Sequence, residues 1–255
     1  MSAHSGCKKA IIIGGGIGGL AAGIALKRVG IQPQVFERAP AIRAIGAGLS
    51  IWSNAVEALD RLGIADDVIS RGSIINRGRL MTTRGKLIGY NDIAAVSNRA
   101  GYPSIMVHRA ELQTALVNVL GRDSLFLDHE FERMETQGDR VTVRFRNGNQ
   151  ATGDMLIGAD GIHSAVRTQV LGPGPLRYSG VTAWRGISHC QYADVTGDMT
   201  TVALGRGIQM GIFPCGTGRV YWFVAYRTGQ NGKTSAAGAR ADVLSLFDES
   251  TAPLL

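Results

Sequence analysis

Cysteine is scarce in this chain of 255 residues: Cys7, Cys190 and Cys215 stand far apart, with no Cys-x-x-Cys pair. That spacing excludes a disulfide framework and a cysteine-based zinc site, and it suits a reducing, cytoplasmic compartment. Long apolar runs are missing too. The one stretch that imitates a leader, Ala10 to Leu26 behind Lys8 and Lys9, holds six glycines between Gly14 and Gly23. They would weaken a helical apolar core. Nothing else nears the roughly 20 apolar residues of a membrane span, so no membrane partner is expected. Positive charge exceeds negative by 7, yet Lys and Arg are scattered, with no basic run interleaved with aromatics. Nucleic acid is therefore not an expected partner. A basic surface that draws in an anionic substrate or cofactor is the plainer reading. There is no internal repeat and no low-complexity tract.

Against these absences stand 45% apolar and 18% charged residues, enough to bury a core in one large domain or two modest ones. Glycine reaches 35 residues, about twice its usual share. No collagen-like period explains the excess, so turns and close backbone approaches must absorb it.

Ala10-Ile11-Ile12-Ile13 reads as a parallel strand buried on both faces. Gly14-Gly15-Gly16 breaks it, Ile17 to Val29 has helical spacing, Gly30 stops the helix, and Gln34 to Glu37 reads as a second strand. Ser53 to Ile64 is helical, with Val56, Leu59 and Leu62 on one face. Arg79 to Tyr90 reads as a hairpin turning at Arg84-Gly85. His108 to Leu120 is helical, with Leu112, Ala115, Leu116 and Val119 inward. Val141 to Phe145 alternates, turns at Asn147-Gly148, and is followed by a strand over Met155 to Ile157; Val166 lies in a short helix. After Pro173 the texture changes to alternating strands from Val181, Met199, Ile208 and Val220, with a helix over Ala239 to Phe247.

The chemistry concentrates in one unit, about Lys8 to Arg38. Gly14-x-Gly16-x-x-Gly19 is the dinucleotide fingerprint in its required context, with a strand before and a helix after. Gly14 permits the tight turn, Gly16 lets a diphosphate approach the backbone, and Gly19 lets helix and strand pack. The helix start offers free N–H groups and partial positive charge. Glu37, about 20 residues on, suits ribose hydroxyls and would repel the 2′-phosphate of NADP. The fingerprint alone leaves FAD and NAD both open.

Four later segments bear on that choice. Asp154 to Arg167, containing Asp160-Gly161, resembles the Asp-Gly motif of the FAD-dependent aromatic hydroxylases, the monooxygenases with the para-hydroxybenzoate hydroxylase fold. Three others resemble that family in order: Gly46 to Ala55, His108-Arg109-Ala110-Glu111-Leu112, and Tyr178 to Gly186. The urate and salicylate hydroxylase branch is nearest. The resemblance implies a mixed α/β fold. A Rossmann-like FAD-binding domain (residues 1–72 and 100–172) is interleaved with a mainly antiparallel β-sheet substrate domain (73–99 and 173–255). It implies that FAD is held by Gly14, Gly16 and Gly19 at the diphosphate, Glu37 with Arg38 at the adenosine ribose, and Ser50 on the flavin side. Arg109 would reach toward the ADP portion, a backbone group of Phe131 would meet adenine, and Asp160 would lie near the ribose and diphosphate. His163 reads as exposed rather than catalytic, and Ser164 and Arg167 as helix-capping residues.

The activity implied is insertion of one oxygen atom from O2 into a small aromatic or heteroaromatic substrate, with NADH or NADPH as electron donor. Apolar stretches over Ile208 to Phe213 and Val220 to Tyr226 suit a flat pocket, with Tyr221 and Arg206 as candidate polar contacts and no catalytic residue assigned. The family's third cofactor motif, Gly-Asp-Ala-Ala-His, has no counterpart before Leu255. A truncated member, a fragment or half of a split protein is therefore expected, with weak FAD retention and little or no hydroxylation by these 255 residues alone, and a homo-oligomer or a complementing chain as partner. The competing readings are a non-catalytic FAD-binding remnant or subunit, and another flavin- or NAD-dependent oxidoreductase.

Overall fold

The structure is a computed structural model that describes residues 6–42, 47–189, 197–229 and 239–246. Cys190, Gly46 and the stretch from Phe247 onward lie outside the described residues. The chain forms two compact units and passes between them three times: residues 1–44 and 112–175 make the first, 45–111 and 176–255 the second. By contact, 45–72 and 100–111 therefore cluster with the second unit, although the resemblance groups them with the cofactor domain. The helix Arg109–Leu120 gives its first three residues to the second unit and the rest to the first.

The first unit is built on a parallel sheet in the order Met155–Gly158, Lys9–Ile13, Gln32–Phe36, Leu125–Phe126. Lys9–Ile13 is central, and Ala10 to Ile13 are buried. That two-sided burial is why the segment is continuously apolar instead of alternating. On one face Ile11, Ile13 and Phe36 pack with Phe131, Val143 and Phe145, the last three from an antiparallel sheet ordered Gln150–Gly153, Arg140–Phe145, Phe131–Gln137. On the other face the helix Ile17–Arg28 presents Gly23, where a Cβ would meet Leu120 Cδ1 at 3.0 Å, Val35 Cγ2 at 3.2 Å and Ile12 Cδ1 at 3.6 Å. Each fully buried Ile or Leu here contributes about 1.5–3 kcal/mol. Gly30, at φ 80°, ends that helix as expected, and its N–H donates to Lys27 O.

Two expectations shift here. Val119 is 43% exposed, and Gln113, at 6%, is buried instead alongside Leu112, Ala115, Leu116 and Leu120. The turn at Asn147-Gly148 leads first to Gln150–Gly153, antiparallel to Arg140–Phe145, and only then to the parallel strand Met155–Gly158.

The second unit carries a six-stranded sheet in the order Val181–His189, Arg219–Arg227, Ile208–Pro214, Met199–Gly205, Arg77–Thr82, Leu87–Asp92. All its neighbours are antiparallel except Met199–Gly205 with Arg77–Thr82. Mixed α/β layering with a mainly antiparallel second unit matches the expected fold class. The 77–92 hairpin turns where expected, with Gly85 at φ 81°. A smaller antiparallel sheet joins Gly48–Ile51, Ile105–His108 and Ser73–Ile74. His108 thus ends a strand, and the helix begins at Arg109. Helices Ala65–Arg71 and Ile93–Ala100 escaped the periodicity reading. Among the described residues no helix is long and apolar enough to cross a membrane.

Glu111 ties this unit together. Its Oε2 accepts from Arg71 Nη1 at 3.0 Å, at the end of Ala65–Arg71, and its Oε1 accepts from Arg219 Nη1 at 3.3 Å, at the start of a sheet strand. Arg71 and then Arg219 hold the Glu111 carboxyl below the usual glutamate range, against an opposing desolvation cost. A carboxylate with a depressed folded pKa contributes stability that is present above its unfolded pKa and is lost as pH falls through the folded one. Glu111→Gln is therefore expected to lower Tm at neutral pH. The gap from wild type should close as pH drops below the ordinary glutamate range, as thermal melts across pH 3–7 would show (roughly the window spanning the unfolded carboxylate pKa).

Candidate functional site

At the carboxyl ends of the parallel strands lies a cavity of about 300 Å³, lined by Gly14, Gly16, Phe36, Glu37, Arg38, His129, Phe131 and Asp160 among others. Its size falls at the small end of ligand pockets. The fold places it at the end of the sheet where such folds take their ligands.

The three fingerprint glycines are glycine for different reasons. Gly14 sits at φ 113°, a conformation that side-chain-bearing residues rarely adopt, and a Cβ there would collide with Ala159 O. Its N–H donates to Phe36 O at 2.8 Å, which closes the turn onto the second strand. A Cβ on Gly19 would collide with Gly14 O. Gly16 differs from both. Its backbone is extended (φ −75°, ψ 178°), and a Cβ there would meet nothing within 4 Å. Neither conformation nor packing within the protein demands glycine at a position that lines the cavity. Gly16 is also the N-cap of Ile17–Arg28, without a side-chain cap and with no acid in the first turn. The helix start thus keeps donors and partial positive charge for an anion.

Between these glycines, Gly15 is held by two side chains. Its N–H donates to Glu37 Oε2 at 2.7 Å, and its carbonyl accepts from Gln113 Nε2 at 2.9 Å. Glu37 Oε1 accepts from Ala39 N–H at 2.9 Å. The carboxylate at the tip of the second strand therefore braces the loop on both sides. Each oxygen still has a lone pair for a further donor. Arg38 is exposed and, among the described residues, has no ion-pair partner. Phe131 is buried within the core cluster beneath the cavity. The His129 ring stands nearly edge-on to Phe145, with centroids 5.0 Å apart.

Asp160 Oδ2 accepts from Ala165 N–H at 2.7 Å and Val166 N–H at 3.2 Å, at the start of the helix Ala165–Leu171. Its Oδ1 is buried without a hydrogen-bond partner among the described residues. Ser164 caps the same helix by accepting from Arg167 N–H at 2.9 Å. His163 is exposed at the cavity rim.

Seven of the nine expected cofactor positions belong to the first unit: Gly14, Gly16, Gly19, Glu37, Arg38, Phe131 and Asp160. All but Gly19 line the cavity, and Gly19 packs behind the turn. Ser50 and Arg109 belong to the second unit and are not among the lining residues. Ser50 Oγ meets Met106 Sδ at 3.3 Å, and Arg109 N–H donates to Ala47 O at 2.8 Å. Sequence reading missed Gln113, because a polar residue beside an apolar stripe looks solvent-facing. Its one signal was position, one residue from Leu112 and three before Leu116.

In the second unit the Tyr221 ring lies against Gly48, where a Cβ would come within 2.5 Å of Tyr221 Cγ and 2.6 Å of Met106 Cε. Phe213, Tyr221 and Phe223 form an aromatic cluster with centroids 5.9–6.3 Å apart. Gly211 lies against the Phe223 and Phe213 ring edges. Burial pushes the Tyr221 phenol up, so it stays a donor at neutral pH. Arg206 is exposed in the turn before Ile208–Pro214.

A strand–glycine turn–helix at the end of a parallel sheet, with an acid at the next strand's tip, defines a dinucleotide-type cofactor-binding protein. The profile of the FAD binding domain family matches residues 8–246, and the chain belongs to that family; its cofactor is FAD. The chain is 40% identical to the aurachin C monooxygenase/isomerase of Stigmatella aurantiaca, over 96% of this chain and 63% of that protein. It is 39% identical to the FAD-dependent urate hydroxylase of Klebsiella pneumoniae, over 84% of this chain and 56% of that protein. Among solved structures, Klebsiella pneumoniae HpxO complexed with FAD and uric acid superposes with a TM-score of 0.90 at 37% identity, covering 96% of this chain and 63% of that one. The chain thus spans about three-fifths of the length of these relatives.

The glycine geometry yields a paired expectation. Gly18, in the first turn of the helix with open space at its Cβ position, should gain about 0.5–1 kcal/mol on replacement by Ala, through helix propensity alone. Gly19→Ala should instead lower stability, because the added methyl must displace the Gly14 carbonyl. Denaturant midpoints of the two variants are expected to move in opposite directions.

Proposed function

We propose that this chain carries the cofactor-binding and substrate-facing parts of an FAD-dependent monooxygenase that hydroxylates a small aromatic or heteroaromatic compound with NADH or NADPH and O2. Gly16 carries the cofactor half of this reading. It lines the cavity, it is glycine for no reason internal to the protein, and an external group approaching the bare backbone supplies the reason. What supports the oxygenase half is kinship to relatives named as a monooxygenase and a urate hydroxylase.

In this reading the Gly14–Gly19 turn takes the diphosphate, with the helix start supplying N–H donors and positive potential. Glu37, already oriented by two backbone N–H groups, accepts from ribose hydroxyls. Arg38 and Phe131 bound the adenosine end, and the unpartnered Asp160 Oδ1 accepts from the cofactor's ribose side. Arg109 offers its guanidinium fork to phosphate or ribose oxygens, and Ser50 serves the flavin side. Residues 1–72 and 100–172 act as the cofactor domain, and 73–99 and 173–255 as the substrate domain. FAD, when bound, supplies the redox chemistry between NAD(P)H, O2 and the substrate. The chain's own work is to bind, orient and exclude water. The Phe213–Tyr221–Phe223 face offers flat apolar surface for an aromatic ring, with the protonated Tyr221 hydroxyl as polar contact; Arg206, in the turn at the far end of these strands, lies too far off to share it. Cytoplasmic location is part of the same proposal.

Gly16→Val separates the cofactor role from folding. The expected result is a protein that still folds, with Tm lowered only by the modest cost of Val at the helix N-cap, and with FAD affinity reduced at least about ten-fold, because a ligand that must touch bare backbone loses its approach. In a protein that completes this chain to the length of its relatives, a small aromatic compound should accelerate NAD(P)H oxidation, and mass spectrometry should find one oxygen atom from labelled O2 in the product, whereas the 255 residues alone should give little or none. FAD affinity indifferent to Gly16→Val would sink the cofactor assignment. Product without label from O2 would sink the oxygenase assignment alone.

A further inference from the structure

The geometry points to Gln113 as a positioning residue that fixes the direction of the Gly16 N–H, and thereby the phosphate affinity of the turn. Gln113 lies 98 residues from Gly15 in sequence, in the second turn of Arg109–Leu120. It is 6% exposed and sits among the buried side chains of Leu112, Ala115 and Leu116. A carboxamide in such company is costly unless it is hydrogen-bonded. Here its Nε2 donates to Gly15 O at 2.9 Å, while its Oε1 accepts nothing from the described residues.

The consequence follows from the planarity of the peptide group. The carbonyl of Gly15 and the N–H of Gly16 belong to one trans peptide, and no cis bond occurs among the described residues, so the two groups point in opposite directions. Anchoring the carbonyl toward Gln113 turns the Gly16 N–H the other way. The preceding peptide is anchored independently, because its N–H, on Gly15, donates to Glu37 Oε2. Three consecutive glycines would otherwise leave these two peptide planes free to rotate, at an entropic cost each time an anion bound. The two side chains thus preorganise the turn from opposite sides, and Gln113 does so without touching the ligand.

This inference rests on the cofactor reading above. Its test compares ADP, which carries the diphosphate, with adenosine, which does not. In the 255-residue chain, Gln113→Leu keeps the bulk and removes the donor. Its affinity for ADP should fall roughly ten-fold, the scale of one buried hydrogen bond, while adenosine affinity stays within about two-fold. Gln113→Met likewise keeps the bulk and removes the donor. It should lose about as much ADP affinity, and it supplies the same comparison should the Leu variant fail to fold. Competition against FAD fluorescence reads both ligands. ADP and adenosine weakening together would mean that Gln113 merely supports the fold, and no change in either would remove its role; both results overturn the inference. Wild-type protein that fails to bind ADP at all would overturn the cofactor reading instead.

Discussion

No side chain fits between the Gly14 carbonyl and Gly19. That contact lets the helix Ile17–Arg28 start directly above the first strand, so that its free N–H groups fall at the cavity mouth. The strand beneath must in turn be buried on both faces, which accounts for the unbroken apolar run Ala10 to Ile13. The first strand's other neighbour closes in the same way: the N–H of Ala159 donates to Ile13 O at 2.7 Å, and Ala159 O presses on Gly14. The turn is therefore held by backbone against backbone on two sides. Asp160, one residue beyond that contact, is committed to a helix start before any ligand arrives.

The second unit solves a different packing problem. Its six-stranded sheet is covered on one face by Val243 of the helix Ala239–Leu244, which meets Ala203, Met210 and Val224. On the other, Met106, Ile75 and Ile93 meet Phe213 and Tyr221. Glycines at 48, 186 and 211 make room for aromatic rings where an alanine would collide. The space left by these missing Cβ atoms is taken by the protein's own Tyr221, Trp222, Phe213 and Phe223 rings, which pack the sheet on both faces.

Much of this was legible in the sequence because it depends on local rules. The glycine spacing, the acid at position 37, the stop at Gly30 and the hairpin at Arg84-Gly85 each follow from backbone conformations that few residues tolerate. The Asp160-Gly161 segment and the strand starts after Pro173 were readable by resemblance and alternation. What could not be read was set by tertiary context. Gln113 is buried because a carbonyl 98 residues away needs its donor, and no periodicity reports that need. Val119 is apolar yet exposed because the helix turns a different stripe to the sheet. Short helices such as Ala65–Arg71 lack enough turns for a pattern to emerge. Glu37 was legible as an acid at the tip of the second strand, but its grip on Gly15 N–H was not.

A diphosphate resting on the bare backbone at Gly16 would be visible in a crystal structure of this protein with FAD. The expected result is a phosphate oxygen accepting from the Gly16 N–H at about 2.8–3.0 Å, with the Gly15 carbonyl still turned to Gln113. A cofactor bound with its diphosphate away from this turn, or a Gly15–Gly16 peptide flipped on binding, would contradict it.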